Sequence, residues 1–139
     1  MSSGHRFDAN VSILFPGVPA LGRPSAAAAA GFDAIEMWWP FASEAPADAE
    51  INALAAAVSE AGVRVVLLNL PTGNADAGEH GFVALPRERS RFRAHVEVAA
   101  EVAHRLGVSI VNGKLPDTNC CASCSMGSIR GSSIPIASA

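Results

Sequence analysis

An α/β fold built from repeated βα units, and therefore a parallel sheet, is what this 139-residue chain predicts. Three observations carry that expectation. Helix-like stretches run into a Gly and straight out into an apolar strand at Ala30-Gly31-Phe32, Ala61-Gly62-Val63 and Leu106-Gly107-Val108. A Gly just past a helix end adopts the left-handed conformation that stops the helix, so each junction marks a helix handing over to a strand. Between those junctions the apolar spacing switches from helical to alternating. After residue 117 the pattern stops, with too few strands to close an eight-stranded barrel.

The elements follow in the order βαβαβαβ. A first strand is expected over Phe7 to Phe15, where Phe7, Ala9, Val11 and Ile13 alternate with Asp8, Asn10, Ser12 and Leu14. A first helix falls within Pro19 to Ala30, with Pro24 tolerated only near its start or as a kink. The second strand is Ala34 to Trp39. An Ala-rich second helix spans Ala47 to Ala61 with Ile51, Leu54 and Val58 at helical spacing, and a third strand, Arg64 to Leu70, ends at Pro71. The third helix is Arg87 to Leu106, with Phe92, Val96, Ala99, Ala103 and Leu106 on its stripe. The fourth strand runs from Val108 to Asn112.

Composition narrows the function classes. Half of the residues are hydrophobic and 17% are charged, enough for one globular domain with a sizeable core. A net charge of -3 without a run of Lys or Arg leaves no footprint for nucleic acid or an anionic membrane. Small-molecule chemistry is the expectation. Met1 to Arg6 lacks the apolar core of a signal peptide and apolar runs such as Val65 to Leu68 are far too short to span a bilayer, so the expected location is the cytoplasm.

The first chemical hint is Glu36. On the second strand Ile35, Met37 and Trp39 form a wholly apolar face suited to a helix layer, while Ala34, Glu36 and Trp38 face the other way. Glu36 then points to the interior of the sheet's curve, where a carboxylate needs a donor, a cation or a proton. Asn10, Ser12 and Asn69 are the neighbours expected for it. A structural hydrogen-bond network and a substrate contact explain such a residue equally well.

The segment Pro71 to Pro86 follows the third strand. Its length exceeds the ~12 to 15 residues beyond which a connection usually has a function of its own. Gly73, Gly78 and Gly81 permit tight turns, and Asp76, Glu79 and His80 bring charge and proton-transfer groups to the strand C-terminal ends. Length and position favour a functional loop over a solvated one.

These pieces, in order, form a recognisable set: Asn10-Val-Ser-Ile-Leu-Phe15, Ala29-Ala-Gly-Phe-Asp-Ala-Ile-Glu36, Trp39-Pro-Phe41, Asn69-Leu-Pro-Thr-Gly73 and Gly78-Glu-His-Gly81. The set resembles the N-terminal half of the hydroxypyruvate isomerase family, within the xylose-isomerase-like TIM barrels, over about residues 6 to 116. The chain departs from the family at Asn74-Ala75, where an Asp-Trp pair is usual, at Phe41, often a Tyr, and at Pro24, usually an aromatic residue.

The resemblance implies interconversion of hydroxypyruvate and tartronate semialdehyde, or isomerisation of a related 2-oxo sugar acid. Two Glu residues would act as base and acid while a divalent metal, Mg or Mn, polarises the substrate oxygens. Both the Glu pair and the metal ligands come from the second half of such barrels. No catalytic residue and no metal ligand is therefore expected here. By resemblance Asn10, Glu36, Asn69, Gly73 and Glu79 position the substrate. The expected product is a truncated, inactive copy that binds no metal.

Residues 118–139 differ in kind from 1–117. They hold Cys120, Cys121 and Cys124, contain no acidic residue, are rich in Ser and Gly, and show neither helical nor strand periodicity. An out-of-frame or artificial, disordered tail is the expectation. A zinc site would need a fourth ligand, and no His lies nearby. Half a barrel also leaves two open sheet edges, through which the chain could self-associate.

Two rival functions share this fold class. An AP-endonuclease-like barrel needs metal-binding His residues near strand ends and a basic DNA face, whereas His95 and His104 fall on the third helix, where solvation or a favourable helix-end charge accounts for them. The other is a non-catalytic half-barrel that binds a metabolite or a partner.

Overall fold

Four parallel strands in sequential order, with helices following the first three and packing as one layer, make up the structure. The computed structural model describes residues 7–71, 88–113 and 134–135. Its elements are β1 (Ala9–Asn10), α1 (Val11–Leu14), α2 (Arg23–Ala29), β2 (Ala34–Trp38), α3 (Asp48–Ala61), β3 (Arg64–Asn69), α4 (Arg89–Leu106), β4 (Ile110–Asn112) and β5 (Ile134–Pro135). The sheet order is β1-β2-β3-β4-β5, with β1 to β4 parallel and β5 antiparallel to β4. An order without reversal, with one helix layer in which α3 packs on both α2 and α4, is the winding of part of a (β/α)8 barrel.

The first strand is shorter than its alternation predicts. Chain pairing ends at Asn10, whose side-chain oxygen accepts from the amides of Ser12 (3.1 Å) and Ile13 (3.2 Å). That is an N-cap, and it turns Val11–Leu14 into a helical turn instead of more strand. Val11 stays buried while Ile13 and Leu14 become exposed. A 3-10 turn, Ala20–Gly22, then leads into α2, and Pro24 sits in the first turn of that helix, where its missing N–H is harmless.

The three glycine junctions behave as expected. Gly31, Gly62 and Gly107 have φ of 91°, 67° and 66°. After Gly107 the chain returns through a bond from the Val108 amide to the Ala103 carbonyl (2.8 Å), which closes the helix end and launches β4. On α3 the predicted stripe of Ile51, Leu54 and Val58 is buried, and Glu50 reaches back to the Ala47 amide (2.9 Å) at its start.

On α4 the buried stripe is His95, Ala99, Val102, Ala103 and Leu106. Val96, expected inside, is exposed, and His95, expected in solvent or at a helix end, is 2% exposed. Ala99, Ala103 and Leu106 are buried as expected, while near the start of the stripe His95, in contact with Trp39 and Glu44 of the β2–α3 loop, takes the inward place expected for Val96. His104 is exposed near the helix end, as expected.

Ile35, Leu54, Leu68, Val11, Val102 and Pro24 are the largest fully buried side chains, and they lie between the sheet and its helices. An irregularity in the β2–β3 register keeps that face apolar. Ile35 pairs with Val65 but Glu36 pairs with Leu67, so the extra residue, Val66, lets both Val65 and Leu68 point at the helices. In residues 118–139 the expectation was no regular structure. Ile134–Pro135 nevertheless pairs with β4 in a short edge strand, a position Pro tolerates. Cys120, Cys121 and Cys124 lie outside the described residues. Among the described residues no helix is long and apolar enough to cross a membrane.

Candidate functional site

Parallel pairing brings the C-terminal ends of β1 to β4 side by side, on the sheet face turned away from the helices. Asn10 pairs in register with Glu36, and Trp38, Asn69 and Asn112 form a second row across β2, β3 and β4. Register partners in adjacent strands point to one face, so a polar layer forms from residues far apart in the chain.

Two hydrogen-bonded pairs organise it. The Asn10 side-chain amide N–H donates to Glu36 Oε1. Its oxygen is already committed to the α1 cap, so the orientation of this amide is set from both ends. Asn112 Nδ2 donates to Asn69 Oδ1 (2.8 Å), and Asn69 Nδ2 donates to the Met37 carbonyl (3.4 Å). Between the pairs the Trp38 amide donates to Ser12 Oγ (3.0 Å), while the Trp38 ring is 54% exposed on the same face.

Of the neighbours expected for Glu36, Asn10 alone bonds to it. Ser12 is taken by the Trp38 backbone and Asn69 by Met37 and Asn112. Asn10, Glu36 and Asn69 do converge on one face and one end of the sheet. Gly73 and Glu79 lie outside the described residues, as do Asp76 and His80. Asn112 is the residue that sequence reasoning overlooked. Its signal was available: like Asn69, it is an Asn at the end of an apolar strand.

Beside this layer the loop from Trp39 to Ala47 joins β2 to α3. Glu44 of that loop meets Arg91 of α4, with Arg91 Nε 3.1 Å from each carboxylate oxygen. The guanidinium holds the Glu44 carboxyl below the usual range, against the opposing effect of burial. Burial is also the main reason that the His95 imidazole binds a proton less readily than usual, with Glu44 pulling the other way.

The donor set at the strand ends is one carboxylate and three amides, with the carboxylate engaged by an amide N–H. Among the described residues no three His, Cys, Asp or Glu side chains come together as a metal site would require. The described strand-end residues therefore do not fit a divalent cation.

Sequentially wound βα units with polar groups at the strand C-terminal ends are the architecture of part of a (β/α)8 barrel. Residues 24–125 match the xylose isomerase-like TIM barrel family, and the chain belongs to that family. It is 46% identical over 109 residues to a putative hydroxypyruvate isomerase of Streptomyces coelicolor, covering 77% of this chain and 39% of that protein. The human putative hydroxypyruvate isomerase is 43% identical over 117 residues, covering 80% and 39%. A 2-oxo-tetronate isomerase of Haemophilus influenzae is 35% identical over 115 residues, covering 81% and 42%. Among solved structures, an AP endonuclease, family 2, from Brucella melitensis superposes with a TM-score of 0.68 at 31% identity, covering 78% of this chain and 40% of that one. The chain thus spans about two fifths of the length of the curated relatives it matches. Its relation to hydroxypyruvate and 2-oxo-tetronate isomerases agrees with the motif resemblance.

Proposed function

We propose that this chain forms the substrate-holding part of an isomerase acting on hydroxypyruvate or a related short 2-oxo sugar acid, and that by itself it does not catalyse the reaction. The observation that carries the proposal is the pre-oriented layer of Asn10, Glu36, Asn69 and Asn112 at the strand ends. Amide N–H groups and a carboxylate are suited to carbonyl and hydroxyl oxygens of such a substrate. Isomerisation moves a proton between neighbouring carbons and needs a base and an acid. One carboxylate, already bonded to Asn10, supplies neither a complementary pair nor a metal site. The names of the relatives supply the substrate class, and Mg or Mn would be the family's metal. Pairing of two copies through the short β1 edge belongs to the same proposal.

The likeness to the Brucella AP endonuclease offers a second reading. A net charge of -3, and His95 and His104 on α4 instead of at strand ends, favour the isomerase reading. Isothermal titration of the 139-residue chain with hydroxypyruvate, with and without Mg, tests the proposal alongside an NMR assay for tartronate semialdehyde. Saturable heat that is lost in Asn10→Ala and Glu36→Ala, without product, is the expected result. Absence of binding would overturn substrate holding, and metal-dependent turnover would overturn inactivity.

A further inference from the structure

Three contacts from one face of α4 converge on the loop Trp39 to Ala47. Arg91 Nε bonds both carboxylate oxygens of Glu44 at 3.1 Å. One turn further on, His95 Nδ1 lies 3.2 Å from the Glu44 main-chain oxygen, to which the Nδ1–H tautomer donates. The same imidazole meets the Trp39 ring edge to face, with centroids 4.7 Å apart and planes at 74°. Trp39 in turn packs against Phe41 at 5.3 Å and donates its indole N–H to the Ser43 carbonyl (2.8 Å). The loop has no regular secondary structure, so these side chains supply the order that a strand or helix would otherwise give it.

We propose that Arg91 and His95 are positioning residues: they clamp the β2–α3 loop onto α4 and thereby hold the chain leaving β2 at Trp38 in the form that the strand-end site requires. The functional consequence rests on the substrate-holding reading above; the clamp itself rests on geometry alone. A side chain that only filled the core would be apolar. Histidine at a buried position with its ring nitrogen on a loop carbonyl and its face on a loop indole does more than fill volume. Among the described residues the charged groups facing His95 are the Glu44 carboxylate from the loop and the Arg91 guanidinium from its own helix. Arg91 keeps Glu44 ionised, so within the acidic range it is the imidazole that changes charge.

The test uses Trp39 as its own reporter. The chain has two Trp residues, so Trp38→Phe leaves Trp39 as the single indole. An imidazolium in ring contact quenches indole emission. Titration between about pH 8 and 5 should show a quenching step with its midpoint below the ordinary imidazole value, absent in His95→Gln. At neutral pH, Arg91→Met and His95→Gln should each raise acrylamide quenching of Trp39 roughly twofold while circular dichroism stays unchanged. In the chain with Trp38 intact, the same substitutions should weaken hydroxypyruvate binding by roughly fivefold.

Unchanged Trp39 accessibility in both variants overturns the clamp, whatever the ligand does. A loosened loop with undiminished hydroxypyruvate binding overturns the positioning role. If the unsubstituted chain binds no hydroxypyruvate, the proposed function fails, and Trp39 accessibility alone still decides the clamp.

Discussion

Replacing Asn10 separates its two roles. Its side-chain oxygen caps α1 at Ser12 and Ile13, and its amide N–H donates to Glu36. Asn10→Ala removes both. Loss of the cap costs about 1 kcal/mol. Loss of a charge-assisted bond between two half-buried groups adds about 1 kcal/mol, below the fully buried value because water can partly replace it. Asn10→Asp keeps the cap but sets a second carboxylate against Glu36. Two charges about 4 Å apart repel by ~1 kcal/mol in water and ~4 kcal/mol at a protein surface, and solvent access places this pair toward the lower end. That repulsion raises the proton affinity of the folded pair above the unfolded values of about 3.9 and 4.3. The folded state of Asn10→Asp therefore binds more protons than the unfolded state. Its stability deficit shrinks as pH falls through the raised titration and is largest at neutral pH.

Urea denaturation followed by circular dichroism, each variant compared with the unsubstituted chain at the same pH, provides the assay. Asn10→Ala should be less stable by about 2 kcal/mol with little dependence on pH. Asn10→Asp should recover about 1 kcal/mol or more between neutral pH and about pH 5. Adding Glu36→Gln to Asn10→Asp reverses the donor and acceptor and should restore most of the loss. A pH-independent deficit in Asn10→Asp, or a double variant no better than the single one, would refute the pairing.

Other perturbations act on the frame. Gly62→Ala meets no atom within 4 Å but forces a side chain to adopt φ of 67°, so thermal denaturation should show a loss of about 1 kcal/mol, with a similar loss for Gly107→Ala. Leu68→Ala empties a fully buried position between sheet and helices and should reduce stability by about 2–5 kcal/mol, read from the urea midpoint. His95 adds a pH term of its own: its proton affinity is lowered on folding, so the unfolded chain protonates first. Urea midpoints of the unsubstituted chain should fall as pH drops below about 6.5, level off below the folded pKa, and show a smaller fall in His95→Gln.

Which features were legible follows from the range of the interactions behind them. Gly31, Gly62 and Gly107 announce helix ends because the left-handed backbone is a local demand that almost only Gly meets. The stripe of Ile51, Leu54 and Val58 is equally local. Asn10 shows where local reasoning fails. Alternation from Phe7 to Phe15 is genuine, yet one side-chain oxygen on two successive amides outweighs it and turns the chain at Val11. The α4 stripe holds at Ala99, Ala103 and Leu106 but departs at Val96 for the opposite reason. Val96 satisfies helical spacing, but contacts with Trp39 and Glu44, about fifty positions earlier, draw His95 inward in its place. The register shift at Val66 is invisible without its partner strand.

The strand-end residues obey a rule that joins both scales. Each of Asn10, Asn69 and Asn112 closes its strand in the structure, a position the sequence shows at the ends of the third and fourth strands but not for Asn10, and their pairing depends on register, which it does not show. Register puts Asn10 against Glu36 and Asn69 against Asn112, so each polar group is aimed by a neighbour on the next strand. An Asn bonded to a fixed partner loses its freedom to flip, and a carboxylate that accepts one amide keeps capacity for a ligand hydroxyl. The order is thus in place before any ligand arrives, and little entropy remains to be lost on binding. The same pairing limits the chemistry, because one oxygen of the Glu36 carboxylate is already engaged by the Asn10 N–H. An arrangement fixed in this way is consistent with the proposed substrate-holding role, in which oxygens of the substrate are met by groups already aimed at them.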